Sequence, residues 1–399
     1  MERRRRETRV VVVGAGFAGA ALIRSLPQRL RRPGEVLLVD RASEFEFAPL
    51  IHEVAVGRLH PRSVVSKIPP LCTDRCAFLQ AAATGLDPEE KVLHTTSGEV
   101  RYEYLALATG SVAAPPPADL APHFRSFWSL EDAVSLRDAV SKMWRERSLP
   151  TIAIAGGGTT GVELASEMAA LLRYLRRRTA LRKQVPKVIL LEATERLMGW
   201  LSPHFHDAAM KELRKLGVEV RLNAPVTEAA PDGVRAGGVW FPAGIRLWTA
   251  GHVISDLAAG LPGERDSSGR VRVGPRLTLP DHPEVYLLGD AAVYTDPRLG
   301  PLPPTASVAV QQGPFCARDL GRRVRNPQSK RPKFDFFDRG YVVSLGPGNA
   351  VAGALGAKFT GRAAHALFRS VLLYYLKDRG GRALTAADWA MERMGRLGF

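Results

Sequence analysis

The sequence predicts an α/β protein made of two parallel-sheet units followed by a helical tail. Two stretches carry that expectation. The first is Thr8–Leu26, TRVVVVGAGFAGAALIRSL. Val10–Val13 is an unbroken β-branched run, short enough for a strand buried on both faces. Gly14, Gly16 and Gly19 follow in G-x-G-x-x-G spacing, and Ala20–Ile23 reads as helix. The second stretch repeats the device: Thr151–Ala155 as strand, Gly156–Gly161 (GGGTTG) as turn, and Val162–Arg178 as a long helix rich in Ala and Leu. After each comes a strand ending in an acid, Glu35–Asp40 (EVLLVD) and Val188–Glu192 (VILLE).

These residue types suit a dinucleotide. The first glycine permits a tight turn, the second lets backbone approach a pyrophosphate, and the third lets helix pack on strand. The helix N-terminus then offers free N–H groups and a positive dipole end to phosphate. An acid about 20 residues on accepts a ribose hydroxyl. The first candidate cradle is therefore Gly14, Ala15, Gly16, Phe17, Ala18 and Gly19, with Asp40 and its neighbour Arg41. The second is Gly156, Gly157, Gly158, Thr159, Thr160 and Gly161, with Glu192. Two such devices in one chain most simply bind two nucleotides, each in a Rossmann-like domain. The longer interval to Glu192 arises from Arg173–Lys187, whose cationic cluster reads as a solvated helix end rather than a binding patch.

Bulk properties agree. With 399 residues the chain is too long for one core, and at 45% hydrophobic residues it is globular. A formal net charge of +16 suggests an anionic partner: nucleotides, an acidic membrane face or nucleic acid. No aromatic-interleaved basic motif of a nucleic-acid module is present, so nucleic acid is not expected. Cys72, Cys76 and Cys316 make no disulfide scaffold and point to a reducing compartment. No apolar run is long enough to span a bilayer as a helix, and no metal-ligand cluster stands out.

Between and after the cradles, Pro49 fixes a turn in Phe45–Gly57 (FEFAPLIHEVAVG), and Leu50–Val56 reads as a short helix. Phe78–Asp87 and Lys91–His94 read as paired strands beside Val100–Ala108. The strand in YLALATGS ends in Thr109–Gly110, and the proline-rich Ala113–Pro117 marks a boundary. Gly244–Gly251 (GIRLWTAG) is a buried strand where the chain is expected to return to the first domain. Val285–Ala292 (VYLLGDAA) ends in Gly289–Asp290. Two prolines, Pro303 and Pro304, lead into a helix starting at Thr305. The domains expected are 1–115 and 246–325 for the first nucleotide, 116–245 for the second, and a C-terminal region 326–399.

In the tail, Ala363, Ala364, Leu367, Phe368, Val371, Leu372, Tyr375 and Leu376 share a helical face, with Arg362, Arg369 and Lys377 opposite. Such a face suits either an interfacial helix on anionic lipid or an ordinary helix packed on the core. In Thr385–Phe399, Thr385 reads as an N-cap with Asp388 three residues on, and Trp389 as an interface aromatic.

Taken in order, the two cradles, the ATG at Ala108–Gly110 and the GD at Gly289–Asp290 resemble a two-dinucleotide flavoprotein reductase, which implies a glutathione-reductase-like architecture. FEFAPLIHEVAVG, GGGTTGVELASEM, LWTAG, LPPTASVAVQQG, GYVVSLGPGNAVA and GRAAHALFRSVLLYYL resemble type II NADH dehydrogenases, the single-subunit NADH:quinone oxidoreductases that pump no protons. The likeness runs over nearly the whole chain.

That resemblance implies non-covalent FAD in the first cradle and NADH in the second, with further cofactor contacts at Pro49, Ala83, Thr109, Gly110, Asp290, Thr305, Ala309, Ala250 and Gly251. It implies hydride transfer from NADH to FAD and two electrons onward to a membrane quinone. Glu163 would handle protons, although by itself it also reads as a first-turn acid stabilising the helix dipole. Glu192 would repel a 2′-phosphate and favour NADH, with Arg196 close by. The quinone would meet Pro304, Ser307, Gln311 and Gln312; the two glutamines read equally as exposed helix polars. Here the chain departs from the family, which usually has Gln where Ser307 stands, and serine is too short to span the same distance. The resemblance also implies attachment to the cytoplasmic face of the cell membrane through the C-terminal helices, and a homodimer. A sulfide:quinone oxidoreductase would need two cysteines flanking the flavin, and only Cys316 lies near the flavin-side helix. A flavin-based redox sensor without quinone turnover is the other alternative.

Overall fold

In the computed structural model, residues 5–178, 185–354, 356–376 and 378–393 are described. Part of the cationic cluster (179–184), Lys377 and residues 394–399 lie outside them. Contacts divide the chain into two compact units. One comprises Met1–Phe45, Lys67–Val112 and His252–Asp338; the other comprises Glu46–Ser66, Ala113–Gly251 and Arg339–Phe399.

The first unit is built on a seven-stranded sheet. Arg5–Val13 lies in its middle, parallel to Val36–Asp40 on one side and to Gly98–Leu107 on the other. Val10 and Val12 pack into one core with Leu22, Ile23, Leu26, Phe315 and Leu320. Val11 and Val13 pack into the opposite core with Leu37, Val39, Leu105 and Leu107. The valine run is thus buried on both faces, as its composition requires, each side chain contributing about 1.5–3 kcal/mol of apolar burial. Gly98–Leu107 uses its far edge twice, pairing antiparallel with Val92–Thr95 and then parallel with Val285–Leu287.

The stretch Phe78–Asp87 is not one strand but two. Ala77–Gln80 pairs parallel with Val36–Asp40, whereas Ala83–Asp87 pairs antiparallel with Val92–Thr95. An apolar run read by itself gives no sign of such a switch of partners.

The second unit carries a five-stranded parallel sheet in the order Arg125–Ser126, Ile245–Trp248, Ile152–Ala155, Val188–Leu191, Glu219–Arg221. Ile245–Trp248 therefore belongs with the second cradle, and the contact boundary falls after Gly251 rather than at residue 245. The helix after the second turn starts at Thr159 and runs to Arg178. The same unit contains an antiparallel sheet of Tyr341–Ser344, Ala350–Ala354 and Ala357–Thr360, on which the helix Gly361–Tyr375 packs.

The tail helices differ from the sequence reading. Of the apolar face, Ala364, Phe368, Leu372 and Leu376 are buried within the unit, while Leu367, Val371 and Tyr375 stay half-exposed and Ala363 exposed. The last helix begins at Arg379, so Thr385 sits inside it and caps nothing. The Thr385 hydroxyl is buried and donates to the Ser63 carbonyl. Asp388 accepts from the Ser63 hydroxyl at 2.6 Å and from the His60 N–H at 2.9 Å. Trp389 is buried, its indole donating to Glu53 Oε2 at 2.7 Å. Each residue has the chemistry of a local or interfacial role, but a tertiary partner claims it instead. No helix among the described residues is long and apolar enough to cross a membrane.

Candidate functional site

In the first cradle, Gly14 has φ +96°, and a Cβ there would stand 2.4 Å from the Ala108 carbonyl oxygen. At Gly19 a Cβ would come within 1.8 Å of the Gly14 carbonyl oxygen. Only glycine allows the helix to sit this close to its strand. At Gly16, between them, a Cβ would meet nothing within 4 Å. The middle of the turn is open while both ends are closed. The helix Phe17–Arg24 begins at Gly16 with no side-chain cap, leaving its first N–H groups for a ligand.

Asp40 ends the adjacent strand. Its Oδ2 accepts the Ala15 N–H at 2.7 Å and its Oδ1 accepts that of Ala42 at 2.8 Å. The backbone thus fixes the carboxylate, and each oxygen retains a lone pair for a ribose hydroxyl. Arg41 is exposed beside it. The cradle's residues fit a dinucleotide: an open turn for the phosphates, uncapped N–H groups and a fixed acid.

The same carboxyl ends of parallel strands bring in the ATG and GD segments, as expected for a ligand crevice in an open α/β sheet. Thr109 Oγ1 and Ser255 Oγ share a hydrogen bond of 2.6 Å. The Ser111 hydroxyl donates to Asp290 Oδ2 at 2.7 Å. Gly289 approaches Ala18 and Ala309: a Cβ there would lie 3.6 and 3.9 Å from theirs. Thr305 caps the helix Ala306–Arg325, its hydroxyl accepting the Val308 N–H at 3.4 Å. Gly110, with φ +64°, adjoins this group, and Pro304 precedes the cap. Ala83, half-buried, opens its edge strand. Pro49 falls in the second unit.

The two glutamines are occupied internally. Gln311 donates to the carbonyls of Ser307 and Phe337 and accepts the Phe337 N–H, each at 3.1 Å. Gln312 is 1% exposed and accepts the Gly289 N–H at 2.6 Å. They read as exposed helix polars or as ligand contacts, whereas both amides tie the helix to neighbouring backbone. The Ser307 hydroxyl is buried with no hydrogen-bond partner among the described residues.

The second cradle repeats the first. Gly156 has φ +112°, with Ala250 backbone 2.8 Å from where a Cβ would be. Gly161 would collide with the Gly156 carbonyl at 1.9 Å, and Gly158 is open. Thr159 and Thr160 start the helix. Glu192 Oε2 accepts the Gly157 N–H at 2.6 Å, and Oε1 accepts from the Thr194 N–H and hydroxyl, both at 2.8 Å. Thr249 Oγ1 bonds the carbonyls of Ala155 and Gly156 at 3.0 Å, and Gly251, at φ +80°, follows Ala250. Arg196 donates to the Gly199 carbonyl.

Glu163, on the same helix, enters a buried polar cluster within this unit. Its side chain is 14% exposed, its Oε1 accepts the Ser344 N–H at 3.1 Å, and its Oε2 lies 3.8 Å from His52 Nδ1. Arg58 pairs with Glu167 at 2.9 Å, both nearly inaccessible. Burial pushes the Glu163 carboxyl up to about 8, against the pull of the Ser344 N–H and with the push of Glu167 and Glu53. Burial, then Arg58, hold His52 down at about 3. At neutral pH a protonated carboxyl therefore faces a neutral imidazole, and 3.8 Å is too long for a direct hydrogen bond. The sequence reading passed over His52, Glu53, Arg58 and Glu167. Acids at i and i+4 on a buried helix, and a His-Glu pair inside an apolar segment, were the available signals.

The sequence profile of the pyridine nucleotide-disulphide oxidoreductases matches residues 8–313, so the chain belongs to that family. Within it, the chain is 27% identical over 421 residues to the type II NADH:quinone oxidoreductase of Mycobacterium tuberculosis, covering 97% of this chain and 88% of that one. It is 26% identical over 376 residues to the type II NADH:quinone oxidoreductase of Staphylococcus aureus, with 89% and 92% covered. The fold is similar to that of NDH2 from Plasmodium falciparum in complex with NADH. The TM-score is 0.85 at 15% identity, over 99% of this chain and 100% of that one. It is also similar, less closely, to the sulfide:quinone oxidoreductase of Aquifex aeolicus, at a TM-score of 0.76 and 19% identity, with 94% and 92% covered.

Proposed function

We propose that this protein is a flavin-dependent NADH:quinone oxidoreductase that pumps no protons. The observation that carries it is the pair of matched cradles in one chain, each with an open glycine turn and an acid fixed by backbone. Curated relatives over nearly its whole length bear the same activity in their names. FAD suits the first cradle, where Gly14–Gly19, Asp40, Thr109 and Asp290 would hold it. NADH suits the second, where Gly156–Gly161 and Glu192 would hold it, the carboxylate repelling a 2′-phosphate.

The bound flavin supplies the redox chemistry, taking a hydride and passing two electrons on. The chain supplies binding and protons. Glu163, protonated up to about pH 8, is a proton donor of suitable strength for quinone reduction. Pro304 and Ser307, ahead of and within the first turn of their helix, remain the quinone-side candidates; the Ser307 hydroxyl has no partner to give up among the described residues. Gln311 and Gln312 act there by holding backbone.

Membrane attachment at the cytoplasmic face rests on the tail. Leu384 and Met391, seven residues apart on one helical face, are 49% and 42% exposed, and Tyr374 is 55% exposed. Co-sedimentation with anionic vesicles, lost on Leu384→Glu/Met391→Glu, tests it.

The central experiment is stopped-flow. The isolated protein should be yellow, bleach with NADH and regain colour on mixing with a quinone analogue. Bleaching without reoxidation by any quinone would instead favour a redox sensor. A sulfide-dependent reaction finds no support in the first unit, where Cys316 is buried and the other two cysteines adjoin an edge strand.

A further inference from the structure

Cys72 ends the short helix Pro69–Cys72, and Cys76 directly precedes the edge strand Ala77–Gln80. One further helical turn joins them, the Cys76 N–H donating to the Cys72 carbonyl at 3.1 Å. That turn stacks the side chains, both free thiols, with 2.7 Å between the sulfurs. Such a separation suits oxygen and is short for sulfur, a larger atom. Residues one turn apart have Cβ atoms about 5–6 Å apart, so closing a disulfide, with Cβ atoms at about 3.5–4.5 Å, takes only local adjustment of the turn.

The thiols are not equivalent. Cys72 is 4% exposed, in the core with Leu26, Leu30 and Ile68, while Cys76 is partly accessible. The hydrogen bond from Cys76 holds the Cys72 thiol below its ordinary value, with help from Arg75 and against burial. The same bond, then burial, pushes Cys76 up. The pair thus shares a proton, and its partly exposed member is the entry point.

An open surface depression of about 620 Å³ is lined by Leu26, Pro27, Gln28, Arg31, Arg32 and Asp74, the last of which places it beside the turn that carries the pair. Asp74 lies in the turn between the cysteines and is neutralised by Arg75 at 2.6 Å. Two guanidiniums therefore dominate a space large enough for a short peptide.

We propose that Cys72 and Cys76 are a redox-active pair that undergoes thiol–disulfide exchange with small anionic disulfides of the peptide-thiol class, received over Arg31 and Arg32. Cys76 first passes the shared proton to the Cys72 thiolate, then attacks one sulfur of the small disulfide as one small thiolate leaves, and Cys72 releases that proton to solvent. Cys72, as thiolate, then displaces the second small thiol from Cys76 and closes the Cys72–Cys76 bond. The two protein thiols lose two electrons and two protons; one small disulfide becomes two thiols. Excess reduced thiol reverses both steps. This is not the C-x₄-C device that disulfide reductases place after the second strand, where this chain has APLIHEVAV.

The test uses the flavin-loaded full chain, oxidised glutathione as anionic probe and hydroxyethyl disulfide as neutral probe. Free thiols are alkylated and products read by intact mass and peptide mapping. With wild type, Cys72 and Cys76 should join and no glutathionyl group should remain, with buried Cys316 staying reduced. Cys72→Ser should retain a glutathionyl group on Cys76. Cys76→Ser should react at least tenfold more slowly. Arg31→Gln/Arg32→Gln should slow glutathione exchange about tenfold and leave the neutral probe unchanged. A stable glutathione adduct on wild type, or no reaction at Cys76, overturns the pair; equal slowing of both probes overturns the role of the arginines.

Discussion

Two residues past the closing glycine, the first cradle carries Ala21 and the second carries Glu163. The backbones up to that point match: a glycine at strongly positive φ, an open middle glycine, and a third whose Cβ would strike the first glycine's carbonyl. In the first unit the helix Ala306–Arg325 crosses at this point. A Cβ at its Gly313 would already lie 2.9 Å from that of Ala21, so the two helices meet here with no room for a side chain at position 313. In the second unit the same place opens onto His52, Arg58, Glu167 and the Ser344 N–H. The glycine turn fixes the same backbone in both units, while the residue two places after it meets packing or polar groups according to what lies across from it.

The largest effects are expected at the closing glycines. Gly19→Val should abolish flavin retention, and Gly161→Val should abolish NADH binding while the protein stays yellow. Each substitution should also cost upward of about 3 kcal/mol in chemical unfolding, since backbone stands where the side chain must go. If Gly161→Val also loses the flavin, the cradles are not independent.

Next comes Glu163→Gln. Steady-state quinone turnover should fall about 100-fold, while NADH-driven bleaching keeps its rate within about twofold. A pH profile sharpens this. Glu163 binds its proton more tightly folded (about 8) than unfolded (4.5), so it erodes stability as pH rises between those values. Glu163→Gln removes that slope and should gain stability relative to wild type at pH 8 but not at pH 5. His52 acts oppositely, losing stability as pH falls from 6.5 toward about 3.

A smaller effect is expected at the acids. Glu192→Ser should weaken NADH binding about tenfold and let NADPH compete, as the lost carboxylate both accepts from ribose and repels phosphate. The smallest is at the open glycines. Gly16→Ala and Gly158→Ala should each leave unfolding free energy within about 1 kcal/mol, because no protein atom is near. Cofactor affinity should nevertheless drop, each in its own cradle.

Much of the scaffold was legible because it is local. Val10–Val13 read as a strand from its β-branched run, and the spacing of Gly14, Gly16 and Gly19 read as that turn once strand, helix and acid surrounded it. The acids ending the two adjacent strands followed from counting residues, and each accepts an N–H of its glycine turn. Gln311 and Thr385 were not legible: a glutamine on a helix and a threonine before an acid each suit several jobs. The carbonyls of Phe337 and Ser63, remote in the chain, decided between them. Trp389 has the composition of an interfacial aromatic, and only Glu53 shows that it faces inward.

Where the backbone turns and which strand ends carry acids follow from local sequence, since steric exclusion at glycine and hydrogen bonding along a strand act over a few residues. That Glu163 keeps its proton at neutral pH and that Cys72 meets Cys76 depends instead on how the surrounding segments pack. Desolvation sums over neighbours from distant segments, and sulfur-to-sulfur contact depends on a turn that the core around Leu26 and Ile68 holds in place.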